Sequence, residues 1–152
     1  IKLNFLFKII SSIRKLYWFM RRPITPGVKI LAISGNKVLL VKNRYEKFWY
    51  LPGGGIKKGE TSIESAKREM REECSIILDN LRIIGTYSNF SEYKKDSIFL
   101  IHSDVTGLMP IKGFEIEKLE FFDMENLPDN VSSATKRRIR EFLSGKIDGG
   151  IW

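Results

Sequence analysis

Residues 51–76 read LPGGGIKKGETSIESAKREMREECSI, and this stretch decides the fold. Its second half, residues 62–75, has helical periodicity, and its apolar positions fall on one narrow stripe that would face a core: Ile63, Ala66, Met70 and Cys74. A second arc beside that stripe carries Glu69, Glu72 and Glu73. The basic residues point elsewhere on the same helical wheel: Lys67, Arg68 and Arg71. The charges of the predicted helix are therefore separated by sign.

The three glutamates of this arc predict a bound cation. Like charges three and four residues apart destabilise a helix, and an ordinary exposed helix would place cations between them. Oxygen ligands suit a hard cation such as Mg²⁺, which binds through a few carboxylates, water and substrate phosphates. A solvated acidic edge is the alternative. The preceding Gly53–Gly55 favours the metal site, because glycines let a ligand approach the main chain closely, and Lys57 and Lys58 add charge for an anionic substrate.

From Gly54 onward the sequence resembles the Nudix box, G-x5-E-x7-R-E-U-x-E-E-x-G-U, in which U is aliphatic. The matching positions are Gly54, Glu60, Arg68, Glu69, Met70, Glu72, Glu73 and Ile76. The resemblance extends over about residues 27–145. Ser75 stands where the family has the glycine that ends the helix, and a non-glycine residue in the left-handed conformation costs about 1–2 kcal/mol. This departure removes no metal ligand, so we interpret the chain as an active enzyme.

The resemblance implies an α/β fold, the Nudix-type α/β/α sandwich with a mixed β-sheet. It also implies metal-dependent hydrolysis of a phosphoanhydride bond in a nucleoside diphosphate derivative or a related nucleotide. By motif position, Mg²⁺ or Mn²⁺ would be held by Glu69, Glu72, Glu73 and the Gly53 carbonyl. Arg68 would pair with a box carboxylate to orient it, and Glu60 would support the ligands from behind. The metal would lower the pKa of a bound water that attacks phosphorus.

The group that accepts the proton from this water stays open. By the same resemblance, the candidates inside the box are Glu72 and Glu69, and the candidates outside it are Glu115 and Glu117. A solvated acid at a strand edge is an equal interpretation of Glu115. The choice therefore lies between a residue on the predicted helix and a residue from a later segment.

Strand-like runs surround the glycine loop and the predicted helix. Residues 28–34 and 37–42 form a predicted hairpin around Gly35-Asn36. Its outgoing end carries Lys42 and Arg44, which are candidates for phosphate contact or, alternatively, solvated strand-end cations. Further elements are predicted downstream, with strands at residues 82–90, 97–103 and 119–123 and a last helix at residues 133–143. Strands and helices in this order indicate a mixed sheet covered by helices.

The composition of the 152 residues limits the classes of function. One cysteine cannot close a disulfide within the chain, and one cysteine with one histidine cannot form a structural zinc site. The net charge of +8, from 26 Lys and Arg against 18 Asp and Glu, favours an anionic partner. We expect a nucleotide-type small-molecule substrate. Nucleic acid is disfavoured because a basic cluster near the C-terminus has no binding motif beyond its charge: Lys136, Arg137, Arg138 and Arg140.

The chain is predicted to consist of a basic amphipathic helix, residues 1–24, and a hydrolase domain, residues 25–152. Cations interrupt the first segment so often that no uncharged run approaches the roughly 20 residues of a bilayer span. The helix could dock on the domain, form a homodimer contact or lie on an anionic membrane surface. The expected location is cytoplasmic, either free or peripheral at the membrane. The alternative function is a catalytically weak protein of the same fold that binds nucleic acid or a membrane surface.

Deletion through Arg22 should leave hydrolysis intact and change location or assembly. Pro23 and Pro26 separate the helix from the first strand, and the box lies beyond residue 50. Turnover, oligomeric state and vesicle binding at low and high salt would be compared for the intact and shortened chains. Loss of salt-sensitive binding to anionic vesicles would indicate the membrane role, and loss of a dimer would indicate an interface. Collapse of folding and turnover would contradict the prediction.

Overall fold

The computed structural model describes residues 24–91, 94–108 and 116–152. Within these ranges the chain forms seven strands and two helices, in the order β1 (Ile24–Ser34), β2 (Lys37–Asn43), β3 (Gly53–Gly55), α1 (Ser62–Cys74), β4 (Ile76–Ser91), β5 (Lys94–Leu108), β6 (Ile116–Asp123), α2 (Ser133–Ser144) and β7 (Gly150–Ile151). Neither of these two helices is long and apolar enough to cross a bilayer. Residues 1–22, for which the sequence predicts a basic helix, lie outside the described residues.

The strands form one mixed sheet with the order β6-β2-β1-β5-β4-β7, and β3 pairs with β1. The pairs β1–β5 and β4–β7 are parallel, and the other described pairs are antiparallel. Two hydrophobic clusters lie against the sheet, one with Ala66 and Met70 of α1 and the other with Ile139 of α2. Successive residues of β1 alternate between them, since Ile30 joins the first and Leu31 the second. The predicted α/β/α sandwich with a mixed sheet is therefore confirmed.

The predicted hairpin and the predicted last helix both form. In the hairpin, Ser34 of β1 lies opposite Lys37 of β2. Gly35 between them has a φ of 62°, a left-handed value that glycine adopts without strain. α2 begins after Ser132, whose hydroxyl accepts a hydrogen bond from the main chain of the first turn. Both elements were predicted from turn and cap residues, and these local signals were sufficient to locate the hairpin and the start of α2.

Four strands are longer than the sequence predicts by more than one residue, and one of them is β6, which begins at Ile116 and not at residue 119. β1 begins at Ile24 and not at residue 28, so it includes Pro26, whose fixed φ and restricted preceding residue both favour extended chain. β4 begins at Ile76, directly after α1, and not at residue 82. β5 extends in both directions beyond the predicted 97–103. Register shifts between β4 and β5 keep the two strands paired across residues 79–82, whose three polar side chains interrupt the alternation used for the prediction.

Local hydrogen bonds fix the two ends of α1. At its start the Glu64 N–H donates to the Thr61 hydroxyl over 3.2 Å, and the Thr61 N–H donates to the Glu64 carboxylate over 2.8 Å, which is a capping box. At its end Ser75 has φ 53° and ψ 38°, and its N–H donates to the Met70 carbonyl. Ser75 is buried. It therefore occupies the left-handed position that the sequence assigned to it.

Replacement of Ser75 by glycine should stabilise the fold by up to about 1 kcal/mol, because glycine adopts the left-handed conformation without a Cβ clash. Part of the gain is lost to the greater freedom of glycine in the unfolded chain. Denaturant unfolding measures the difference. Ser62→Gly, at the first residue of the same helix, is the matched control and should not stabilise. Equal or lower stability of the Ser75 variant would show that this residue carries no strain.

Candidate active site

A cavity of about 450 Å³ opens between α1 and the strands β1, β2 and β3. Its lining includes charged and polar groups from all four elements: Lys29, Asn43, Gly53, Gly54, Glu69 and Glu73. The connection between β2 and β3 adds Glu46 and Tyr50. The glycine stretch and part of the acidic arc, which the sequence analysis singled out separately, thus meet at the same cavity.

Gly53 and Gly54 allow close approaches that a side chain would prevent. A Cβ atom on Gly53 would clash with the Val28 carbonyl of the neighbouring strand β1. A Cβ atom on Gly54 would lie 2.5 Å from the carboxylate carbon of Glu69. The clash at Gly53 is with main chain, so β3 can pair with β1 here only as glycine, whereas a side chain at Gly54 would displace the Glu69 carboxylate. The two glycines therefore bring the main chain of β3 against a carboxylate of α1.

Arg68 connects β3 and the loop that follows it to the acidic arc of α1. Its guanidinium donates to both oxygens of Glu60 over 2.7 and 3.0 Å, to Glu69 Oε1 over 2.7 Å and to the Gly55 carbonyl over 3.0 Å. Glu72 lies 3.4 Å away, one turn further along the helix. The helical wheel directed Arg68 away from the glutamates. The long side chain nevertheless bends back to the arc, and the guanidinium makes the pairing with a box carboxylate that the resemblance implies.

The ion pairs shift the pKa values of both partners. The hydrogen bond from Arg68 is the first cause that lowers the pKa of Glu60 to about 2, and the hydrogen bond from the Lys57 N–H is the second. The pKa of Arg68 is raised, chiefly by the same hydrogen bond to Glu60. Both groups are therefore ionised at neutral pH. The guanidinium of Arg68 is fixed by its two bonds to Glu60, and it holds the Glu69 carboxylate in one orientation.

The three glutamates of the arc do not all line the cavity. Glu69 and Glu73 do, and only 12% of the Glu69 side chain is exposed. Glu72 is not in the lining, and its side chain is 56% exposed beside Arg68. Across the described ranges no three carboxylate, thiol or imidazole groups come together as a ready metal cluster. Of the predicted metal set, the structure thus brings Gly53, Glu69 and Glu73 to the cavity and leaves Glu72 at its outside.

The two predicted phosphate contacts, Lys42 and Arg44, do not line the cavity. Successive side chains of a strand point to opposite faces, and in β2 the lining residues are Val41 and Asn43, on either side of Lys42. Arg44 follows the strand and is exposed. The sequence positions of Lys42 and Arg44 indicated that they lie near the glycine stretch, Gly53–Gly55. They could not indicate which face of the sheet the two side chains occupy.

Lys29 of β1 is a lining cation that the sequence analysis missed. Its Nζ donates to the Leu51 carbonyl over 3.3 Å. Burial lowers the pKa of Lys29, and the charge of Glu69 raises it by a smaller amount. A signal was present, because residues 28–33 read VKILAI and contain a single charge within an apolar strand. A lone lysine in such a run indicates a polar site at that point of the sheet.

Tyr50 and Glu46 form a polar pair in the lining that the sequence analysis also missed. The Tyr50 hydroxyl donates to Glu46 Oε2 over 3.2 Å. The pKa of Tyr50 is raised, first by burial and then by the charge of Glu46. No periodicity marks these residues, because they belong to the irregular connection between two strands. The cavity therefore offers the Tyr50 hydroxyl as a hydrogen-bonding group besides its carboxylates and its lysine.

Arg138 does not belong to the basic surface that the nucleic-acid alternative requires. Only 3% of this residue is exposed. Its guanidinium lies 4.1 Å from the centre of the Tyr87 ring and 5.4 Å from that of Trp152. It also forms an ion pair with Glu141 over 2.9 Å. The cluster of four cations near the C-terminus thus loses one member to the core, which weakens the nucleic-acid alternative.

Some predicted residues fall elsewhere. Glu115 and the side chain of Glu117 lie outside the described residues, so their roles stay predictions, as do the contacts of residues 1–22. Cys74 is buried in the core below α1, as the stripe predicted, and burial raises its pKa to about 12. A thiol with so high a pKa is protonated and inert at neutral pH.

The chain matches the family model described as the NUDIX domain over residues 23–142. This is more than half of its length, and the chain therefore belongs to the NUDIX domain family, which confirms the resemblance seen in the sequence. An ADP-ribose pyrophosphatase of Methanocaldococcus jannaschii is 35% identical over 110 residues, which are 68% of this chain. The match spans 65% of the length of that relative.

Solved structures share the fold. A UDP-X diphosphatase has a TM-score of 0.70 at 18% identity, over 84% of this chain and 67% of that chain. A NUDIX hydrolase from Nitrosomonas europaea has a TM-score of 0.72 at 18% identity, over 82% of this chain and 92% of that chain. Identities this low establish the fold and nothing finer.

Glu60→Gln should destabilise the protein at neutral pH and do so less as the pH falls. Because the pKa of Glu60 is lowered from its ordinary 4.5 to about 2, its ion pair stabilises the fold above pH 4.5, and this stabilisation is lost as the pH falls through 2. Thermal melting of wild type and variant between pH 7 and about pH 2.5 measures the difference. The exposed Glu125, changed to glutamine, is the control. A difference that does not narrow in acid would contradict the assignment.

Proposed function

We propose that the chain hydrolyses a phosphoanhydride bond of a nucleoside diphosphate derivative or a related nucleotide, with Mg²⁺ or Mn²⁺ as its cofactor. The observation that carries this proposal is the presence of Glu69, Glu73 and Lys29 around one cavity. A diphosphate brings several negative charges, which require a metal ion on carboxylates and favour a cation in the wall. Membership of the NUDIX domain family supports the same reaction.

The residues at the cavity fit a small hard cation. Mg²⁺ prefers oxygen ligands and usually binds through one or two carboxylates together with water and substrate phosphates. Glu69 and Glu73 supply two carboxylates, and Gly53 lies in the same lining. Glu72 is a further donor on an exposed side chain next to this wall. When bound, the metal would offset phosphate charge and lower the pKa of a water that attacks phosphorus.

Arg68 and Glu60 would position these ligands. Arg68 donates to Oε1 of Glu69, and no hydrogen bond within the described part of the chain involves Oε2 of the same carboxylate. Glu60 and the Gly55 carbonyl take the other donors of the guanidinium. These contacts hold Arg68 where it would orient Glu69 toward a metal ion. This division of roles agrees with the supporting position that the motif implies for both residues.

Glu72 is the described residue that best fits the general base. Glu69 and Glu73 line the cavity and would be the metal donors, whereas Glu72 is exposed and its contact to Arg68 is long at 3.4 Å. A carboxylate beside the metal could take a proton from the attacking water and release it to solvent. Glu115 and Glu117 are the candidates outside the box, and the pH dependence of turnover in variants of these residues and of Glu72 would separate the assignments.

ADP-ribose is the first substrate to test, because the 35% identical relative is named an ADP-ribose pyrophosphatase. A UDP derivative is the second, after the UDP-X diphosphatase that shares the fold. Dinucleoside polyphosphates and oxidised nucleoside triphosphates complete the panel. Asn43 and the Tyr50–Glu46 pair supply hydrogen-bonding groups for the uncharged part of such a substrate.

Glu73→Gln should abolish hydrolysis and weaken metal binding while the fold persists. Glutamine has nearly the same size and adds no charge, and it removes one member of a like-charged group, so the metal-free protein should remain folded. Product formation would be measured with Mg²⁺, Mn²⁺ and EDTA, and Mn²⁺ binding would be titrated without substrate. Glu72→Gln should also remove turnover but reduce Mn²⁺ affinity less, because Glu72 lies outside the lining.

Glu125→Gln provides the matched control, since it removes one exposed carboxylate and should leave turnover and Mn²⁺ binding unchanged. Full hydrolysis in excess EDTA, or full turnover by the Glu73 variant, would contradict the metal site. Failure of the wild type to hydrolyse any member of the panel would contradict the proposed function itself.

A further inference from the structure

Lys29 is a charged residue in the interior of the sheet. It lies in β1 between Val28 and Ile30, which are both buried, and it pairs in register with Gly53 of β3. Its side chain lines the cavity that Glu69 also lines. The position is costly, because an ammonium group removed from water loses its hydration and needs compensation from partners.

The partners of Lys29 in the protein do not supply that compensation. An ammonium group has three donors, and within the described ranges one of them is used, for the Leu51 carbonyl at 3.3 Å. No ion pair among the described residues includes Lys29. Glu69 attracts it through space, but one oxygen of the Glu69 carboxylate is already bound to Arg68 at 2.7 Å. Two donors of Lys29 are therefore available to a ligand in the cavity.

We propose that Lys29 binds phosphate oxygens of the substrate's diphosphate from the sheet side of the cavity. This inference rests on the proposed function and deepens it, because it assigns a substrate contact to a cation that lines the cavity, which Lys42 and Arg44 do not. Lysine is a compact point charge with three rotatable donors, and it suits a phosphate group whose oxygens change direction during hydrolysis. The carboxylates of α1 would act on the same diphosphate through the metal ion. Two walls of one cavity thus bind the substrate by different means.

A purely structural role is the rival explanation. In it, Lys29 serves only to hold the Leu51 carbonyl and so the connection before β3. Lys29→Gln separates the two, because glutamine can still donate to a carbonyl but carries no charge. Lys29→Arg keeps the charge with a different shape. Lys37→Met removes an exposed lysine of the β1–β2 hairpin and is the control for net charge.

The experiment measures binding of α,β-methylene-ADP by calorimetry in EDTA at low salt, for the wild type and each variant. Lys29→Gln should weaken this binding by about 10- to 100-fold, the usual effect of one charge-assisted hydrogen bond. Lys29→Arg should retain most of the affinity, and Lys37→Met should bind as the wild type does. Melting temperature should not fall in Lys29→Gln, because a poorly compensated buried charge is removed. With a hydrolysed substrate, KM should rise more than kcat falls.

The proposal is overturned if Lys29→Gln binds the nucleotide as tightly as the wild type, or if the wild type does not bind it without metal. It is also overturned if both Lys29 variants lose stability and affinity together, which would indicate the structural role. The proposed function fails separately, through absence of hydrolysis by a wild type that still binds α,β-methylene-ADP in a Lys29-dependent manner.

Discussion

The guanidinium of Arg68 is the group on which the arrangement of the site depends. It contacts Glu60, Glu69 and the Gly55 carbonyl at the same time, so it joins the loop before α1 to the helix itself. Few side chains can do this, because only a planar group with five donors reaches several acceptors in fixed directions. The main chain of β3 then meets Glu69 through Gly54, which leaves room for no side chain. Loop, strand and helix are therefore positioned by one cation and two glycines.

Around this connection the cavity separates negative from positive groups. α1 contributes the carboxylates Glu69 and Glu73, and β1 contributes Lys29. The net charge of +8 over the whole chain attracts anions in general, but this local division decides where a diphosphate and its metal ion would bind. A cation elsewhere on the surface attracts anions but does not orient them within the cavity. The distribution of charge around the cavity is therefore more informative about ligand position than the net charge of the chain is.

The sequence predicts those parts of the site that local rules determine. Helical periodicity identified the acidic arc and the core position of Cys74, and the departure at Ser75 identified a left-handed residue at the helix end. The sequence could not predict which strand residues reach the cavity, since this depends on how β3 pairs with β1. Lys29 was missed for this reason. The helical wheel likewise could not place the guanidinium of Arg68, because a wheel gives the direction of the Cβ atom and not the position of the end of a long side chain.

The two faces of the sheet become covered at different times during synthesis of the chain. The cluster below α1 is built from described residues up to Phe121, whereas the cluster on the other face requires Ile139 and the packing of Trp152 on Tyr87. A ribosome releases the chain from its N-terminus, so the sheet and α1 can assemble while Leu31 and its neighbours on the second face still contact water. Until residue 152 has emerged, the nascent protein would therefore present an apolar sheet surface that chaperones can bind.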